Sequence, residues 1–154
     1  MTYPQFEEDL YGIYKSEIMG EALFSVASTL SFNQSRKAKW DALAKLETQT
    51  KERYLAFVHG DQRYPTGSRI AGLAIGVLLA LMPWKTAMKM VGGGTAPFMA
   101  TFSRLLENSS AEDESFYRYV LQHEEAIAAF AANEARGETN ALRPVTDLLE
   151  RATS

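Results

Sequence analysis

"VLQHEEAIAAFAANEARG", residues 120–137, is alanine-rich and ends on an arginine–glycine pair. Alanine is the strongest helix former. A cation in the last turn followed by glycine is the usual helix stop, so the stretch reads as a helix. Its apolar stripe runs Phe116, Val120, His123, Ile127, Phe130 and Glu134, at spacings of three and four. His123 therefore sits mid-helix on the buried face, and it is one of only 2 histidines in the chain. An imidazole in that position needs polar company, and the helices upstream supply it.

Residues 5–31 form a first predicted helix, with Phe6, Leu10, Ile13, Phe24 and Ala27 on one face and Glu17 and Gly20 continuing the stripe. Ser35 is positioned to cap a second helix that runs to about Phe57. Its stripe is Trp40, Leu43, Glu47, Thr50, Tyr54 and Phe57. "HGDQRYPTG" (59–67) reads as a loop. "IAGLAIGVLLALMPW" (70–84) carries no charge and is 15 residues long, short of the ~20 that span a bilayer. It is expected to be a buried helix, hydrophobic all round, with Gly72 and Gly76 admitting a close neighbour. "VGGGTAP" (91–97) is expected to break the chain, and "FMATFSRLLEN" (98–108) to form a short helix. Ser109 with Glu112 reads as a capping box opening the helix of the His123 stretch. A last short helix, about 140–151, can pack Leu142, Val145, Leu148 and Leu149 over the bundle end.

No alternating strand pattern is present. Long helices with short links predict an all-α, up-and-down four-helix bundle over 1–154, with an extra apolar segment at 66–107 and a short C-terminal helix. The chain has 154 residues, 46% hydrophobic and 23% charged, as in a globular single domain. A net charge of −3 argues against nucleic acid as a partner. With 0 cysteines, disulfides, zinc–thiolate sites, iron–sulfur clusters and thiol catalysis are excluded. The "VGGG" run lacks the lysine–serine/threonine ending of a phosphate loop and follows no strand, so no nucleotide cofactor is expected. "MTYPQFEEDL" lacks a basic-then-apolar leader pattern, and a cytoplasmic location is the expectation.

The residues that interrupt the stripes carry the chemistry. Glu17 and Glu21 on the first helix, Glu47 on the second and His123 on the last lie roughly mid-helix, at similar depth in an antiparallel bundle. A buried carboxylate is paired, protonated or metal-bound. Several carboxylates with one imidazole suit iron or manganese, and also zinc. The plainer alternative is a polar cluster in which His123 hydrogen-bonds a glutamate and fixes helix register. Glu17 is expected to be a partly exposed helix residue, and Glu124 and Glu125 are expected to face solvent.

"GEALFSVAS" (20–28), "WDALAKLETQTKERY" (40–54) and "LQHEEAIAAFAANEARG" (121–137) together resemble the ferritin-like superfamily, in particular small rubrerythrin-like, uncharacterised members. In that group a glutamate from each of two helices and a Glu-x-x-His motif from each of the other two hold two metal ions. The resemblance implies Glu21 as the first-helix ligand and Glu47 as that of the second. This chain departs from the pattern: Thr50 stands three residues after Glu47, Val120 three before His123, and no carboxylate lies between Asp61 and Glu107. His59 is ~18 Å along the axis from Glu47. The expected site is thus reduced, with Glu21, Glu47 and His123 as ligands of iron or manganese and a redox reaction as the first guess. The competing expectation is a metal-free interaction or scaffold protein. A homodimer through 70–106 fits both, without stable membrane insertion.

Overall fold

The structure, a computed structural model, describes residues 1–151. Six helices follow one another: α1 (Tyr3–Thr29), α2 (Gln34–Phe57), α3 (Thr66–Leu81), α4 (Trp84–Glu107), α5 (Glu114–Arg136) and α6 (Arg143–Arg151). Among the described residues there is no strand. The protein is all-α, as its periodicities predict.

Helices α1, α2, α5 and α4 form a closed cycle in which each packs on the next. Helix α3 lies along α1, and α6 packs on α5 and α2. Contacts at both ends fix the directions. Tyr14 stacks on Tyr54 at 5.3 Å and Phe24 on Trp40 at 5.8 Å, so α1 and α2 are antiparallel. Phe57 stacks on Phe116 at 4.0 Å and Lys39 pairs with Glu134 at 2.5 Å, so α2 and α5 are antiparallel as well. Arg104 of α4 reaches Asp9 of α1 at 3.1 Å, while Trp84 at its other end meets Trp40. Helices α1 and α5 are the parallel diagonal, as Phe6–Tyr117 shows at one end.

The core follows the stripes read from the sequence. Ile13, Glu17, Gly20, Phe24 and Ala27 are buried on α1, Trp40, Leu43, Glu47, Thr50 and Tyr54 on α2, and Val120, His123, Ile127 and Phe130 on α5. Gly72 and Gly76 do bring α3 against α1. A Cβ on either would overlap a backbone carbonyl, of Met19 or of Leu23.

Four local expectations are corrected. Residues 91–97 do not break the chain, because α4 continues through the glycines and Pro97. Its packing against α5 and α1 holds a helix that local propensity disfavours. Helix α3 is not buried all round: only Gly72, Gly76 and Leu79 are buried, and Ile70 and Leu81 are 62% and 78% exposed. Its extensive packing is on α1 alone, so one face is covered. Asn33 rather than Ser35 caps α2, accepting from the Arg36 amide. Helix α5 starts at Glu114, with Ser110 and Asp113 bonded in the turn before it in place of a Ser109–Glu112 box. No helix among the described residues is long and apolar enough to cross a membrane.

Candidate metal centre

Halfway along the bundle the three interrupted stripes meet. Glu17 of α1, Glu47 of α2 and His123 of α5 each place one ligand atom within 4.8 Å of the others. Glu17 and His123 are 0% exposed and Glu47 is 4% exposed. His123 Nε2 lies 3.4 Å from Glu47 Oε2 and 3.6 Å from Glu17 Oε2. Neither His123 Nε2 nor Glu17 Oε2 has a hydrogen-bond partner. Two buried polar atoms without partners are costly in a closely packed interior. Their spacing is informative. Two atoms bound to one cation at ~2.1 Å are about 3.0 Å apart at a right angle and about 3.4 Å apart at the tetrahedral angle.

The backbone makes room for this arrangement. A Cβ at Gly20 would fall 2.5 and 2.6 Å from the two carboxylate oxygens of Glu47. Only glycine, one turn after Glu17, lets that carboxylate lie between α1 and α5. Ser16 Oγ lies 3.4 Å from Glu17 Oε1, leaving Oε2 toward the imidazole.

The other face of the imidazole is held in place. Thr50 Oγ1 lies 2.7 Å from His123 Nδ1 and 3.1 Å from the Tyr119 hydroxyl, which accepts from Gln49 Nε2 at 2.8 Å. With Nδ1–H donating to Thr50, the Nε2 lone pair points at the two carboxylates. This is how outer hydrogen bonds select the ligating tautomer of a histidine.

Glu124, one residue on, is also buried, at 5% exposure. Burial pushes Glu17 well above the usual carboxylate range, and the Glu47 and Glu124 charges add to this. Burial likewise lifts Glu124 to about 8, against the pull of His123 and with help from Glu47. For His123, burial favours the neutral ring, but the Glu47 and Glu124 carboxyls outweigh it and its pKa is raised. The ion-free cluster thus retains protons, which a cation would displace.

The expected ligands are only partly brought together. Glu47 and His123 meet as expected. Glu21 does not join them: it accepts from Lys51 at 2.5 Å and Thr48 at 2.6 Å on the rim between α1 and α2. Burial pulls its pKa up, and those two hydrogen bonds together with the Lys51 and Arg69 charges more than offset this, holding it below the ordinary value. Glu17 stands in the cluster instead. Glu17, expected to be partly exposed, is fully buried because it continues the core stripe of α1, whereas Glu21, the ligand the ferritin-like resemblance implies, lies one turn further on. Glu124 is likewise buried, not solvent-facing, because α5 packs on α4 as well as on α2 and so buries a wider arc than one stripe. Glu125 is exposed, and so is His59. Glu134 does not reach water freely: it pairs with Lys39 and accepts from Trp84 Nε1 at 2.7 Å.

No family model matches this chain, and no curated protein or solved structure is significantly similar to it.

Proposed function

We propose that the protein is a small metal-binding bundle that holds one divalent first-row cation through Glu17, Glu47 and His123. The observation that carries this reading is the pair of partnerless, fully buried ligand atoms, His123 Nε2 and Glu17 Oε2, 3.6 Å apart with Glu47 beside them. Two carboxylates and one imidazole suit iron, manganese or zinc. Three protein donors leave coordination positions open, which is the arrangement of reactive rather than purely structural sites. At iron or manganese the chemistry supplied would be redox.

The ferritin-like reading draws its support from topology. Helices α1 and α2 run antiparallel, α3 returns the chain along α1, and α4 and α5 complete the cycle. Glu17, Glu47 and His123 supply residue types of the family pattern, with Glu17 one turn before Glu21, the position the resemblance implies. Thr50 and Val120 replace the remaining members of the two Glu-x-x-His motifs, and α4 brings no carboxylate before Glu107. This is the donor set of one ion rather than two.

The metal-free scaffold is the second reading, and one observation favours it. Burial favours protons on Glu17 and Glu124, and the neighbouring carboxyls favour a proton on His123, so the cluster's charge is partly balanced without an ion. A homodimer through the 70–106 region is compatible with both, and the exposed Ile70, Leu73, Leu78 and Leu81 on α3 support it.

Elemental analysis of protein purified without chelators separates the readings. Stoichiometric iron, manganese or zinc, lost in His123→Ala and reduced in Glu47→Gln, supports the metal site. Metal-free protein whose melting is unchanged by added iron, manganese or zinc supports the scaffold.

A further inference from the structure

Beside the cluster, between α1, α3, α4 and α5, lies a cavity of about 230 Å³. Its walls are apolar, with Met19, Leu23, Leu79, Met90 and Phe98 among them. Its polar end is formed by Glu47 and Glu124, both buried. Glu124 is 5% exposed and lines the cavity, so its carboxyl borders whatever occupies it. A cavity of roughly 150 Å³ lined by apolar side chains accommodates benzene. By proportion, this one takes about nine or ten heavy atoms.

Within the glycine run of α4, Gly94 borders this cavity and is exposed. Neither Gly93 nor Gly94 would bring a Cβ within 4 Å of anything, so no packing contact demands glycine there. Glycine weakens a helix relative to alanine. Gly94, inside α4 at the edge of the cavity, leaves that edge clear of a side chain.

We propose that the cavity binds a medium-chain apolar molecule of about eight to ten heavy atoms, carrying one hydrogen-bond-donating head, a hydroxyl or an amine. The chain lies along Met19, Leu23, Leu79 and Phe98, and the head reaches the carboxyls of Glu47 and Glu124. No cationic side chain among the described residues lines the cavity, so a carboxylate head would lose its hydration there without compensation. This inference rests on the metal reading only for its consequence: Glu47 is shared, so the head arrives next to the open positions of the ion. The binding itself needs no metal.

The test uses chelator-treated full-length protein titrated with 1-octanol, octylamine and octanoate, read by calorimetry and by the methyl NMR signals of Ile75 and Met90. Octanol and octylamine are expected to bind at one site, with octanoate at least tenfold weaker. Gly94→Leu introduces a side chain at an unobstructed helical position, so it should fold with undiminished melting temperature and lose binding at least tenfold. No binding of octanol or octylamine overturns the proposal, as does a well-folded Gly94→Leu that binds like the parent. Octanoate binding as tightly as octanol overturns the assignment of the head. Metal content, measured separately on untreated protein, decides the metal reading whichever way these titrations fall.

Discussion

At the scale of single residues, the protons of the cluster set a pH dependence whose sign is determined. Glu17 and Glu124 are protonated in the folded chain well above the pH at which they ionise when unfolded. The folded form therefore holds more protons between the ordinary carboxylate range and about 8. Across that window, stability of the ion-free protein falls as pH rises. His123, whose pKa is also raised, acts in the same direction: its contribution is complete below its unfolded value and is lost as pH rises through the folded one. Urea titrations from pH 5 to 9 should show this decline, and Glu124→Gln should flatten it. Metal affinity should move the opposite way, increasing with pH as fewer protons must be displaced. Zinc titration in two buffers of different ionisation enthalpy reads the protons released. The interior position of His123 was legible from one alanine-rich stretch. Its hydroxyl partner Thr50 was not, because at that position the sequence differs from a ferritin-like motif, and a missing histidine says nothing of the contact that replaces it.

At the scale of elements, the site depends on a close helix approach. Gly20→Ala gains helix propensity of up to about 1 kcal/mol. It also places a methyl group against the Glu47 carboxylate. The expected outcome is a displaced Glu47 and metal affinity lowered by tenfold or more, with little loss of secondary structure by circular dichroism. Unchanged affinity would show that Glu47 does not need that position. The reverse case is Gly93, where a Cβ meets nothing within 4 Å. Gly93→Ala should raise stability by about 1 kcal/mol or less in thermal unfolding. Helix periodicity located α1, α2 and α5 and the faces they bury, since each has a stripe at regular spacing. It failed for α4 because glycine and proline are local breakers, whereas contacts with α5 and α1 decide the outcome. It failed for α3 because an uncharged sequence does not reveal which of its faces is covered.

At the scale of the whole molecule, α3 leaves Ile70, Leu73, Leu78 and Leu81 at the surface, aligned along one helix. Contiguous apolar surface of this kind commonly marks an association site. If a second copy covers it, sedimentation should give a dimer that Leu78→Glu converts to a monomer with unchanged helix content. A monomeric parent protein would remove the homodimer from the account. The all-helical architecture and the meeting of Glu47 and His123 could be inferred from the sequence because both follow from period and depth. Glu17 over Glu21 is a matter of one turn: four residues overshoot a 3.6-residue repeat, so Glu17 faces inward and Glu21 turns to Lys51 at the rim.

Anomalous diffraction at the zinc edge, from crystals of chelator-treated protein soaked in zinc, tests the metal centre most directly. A single interior peak about 2.0–2.2 Å from Glu17 Oε2, Glu47 Oε2 and His123 Nε2 is the predicted result. Crystals without that peak, with His123 Nε2 hydrogen-bonded to Glu47 and Glu17 turned to another partner, would contradict it.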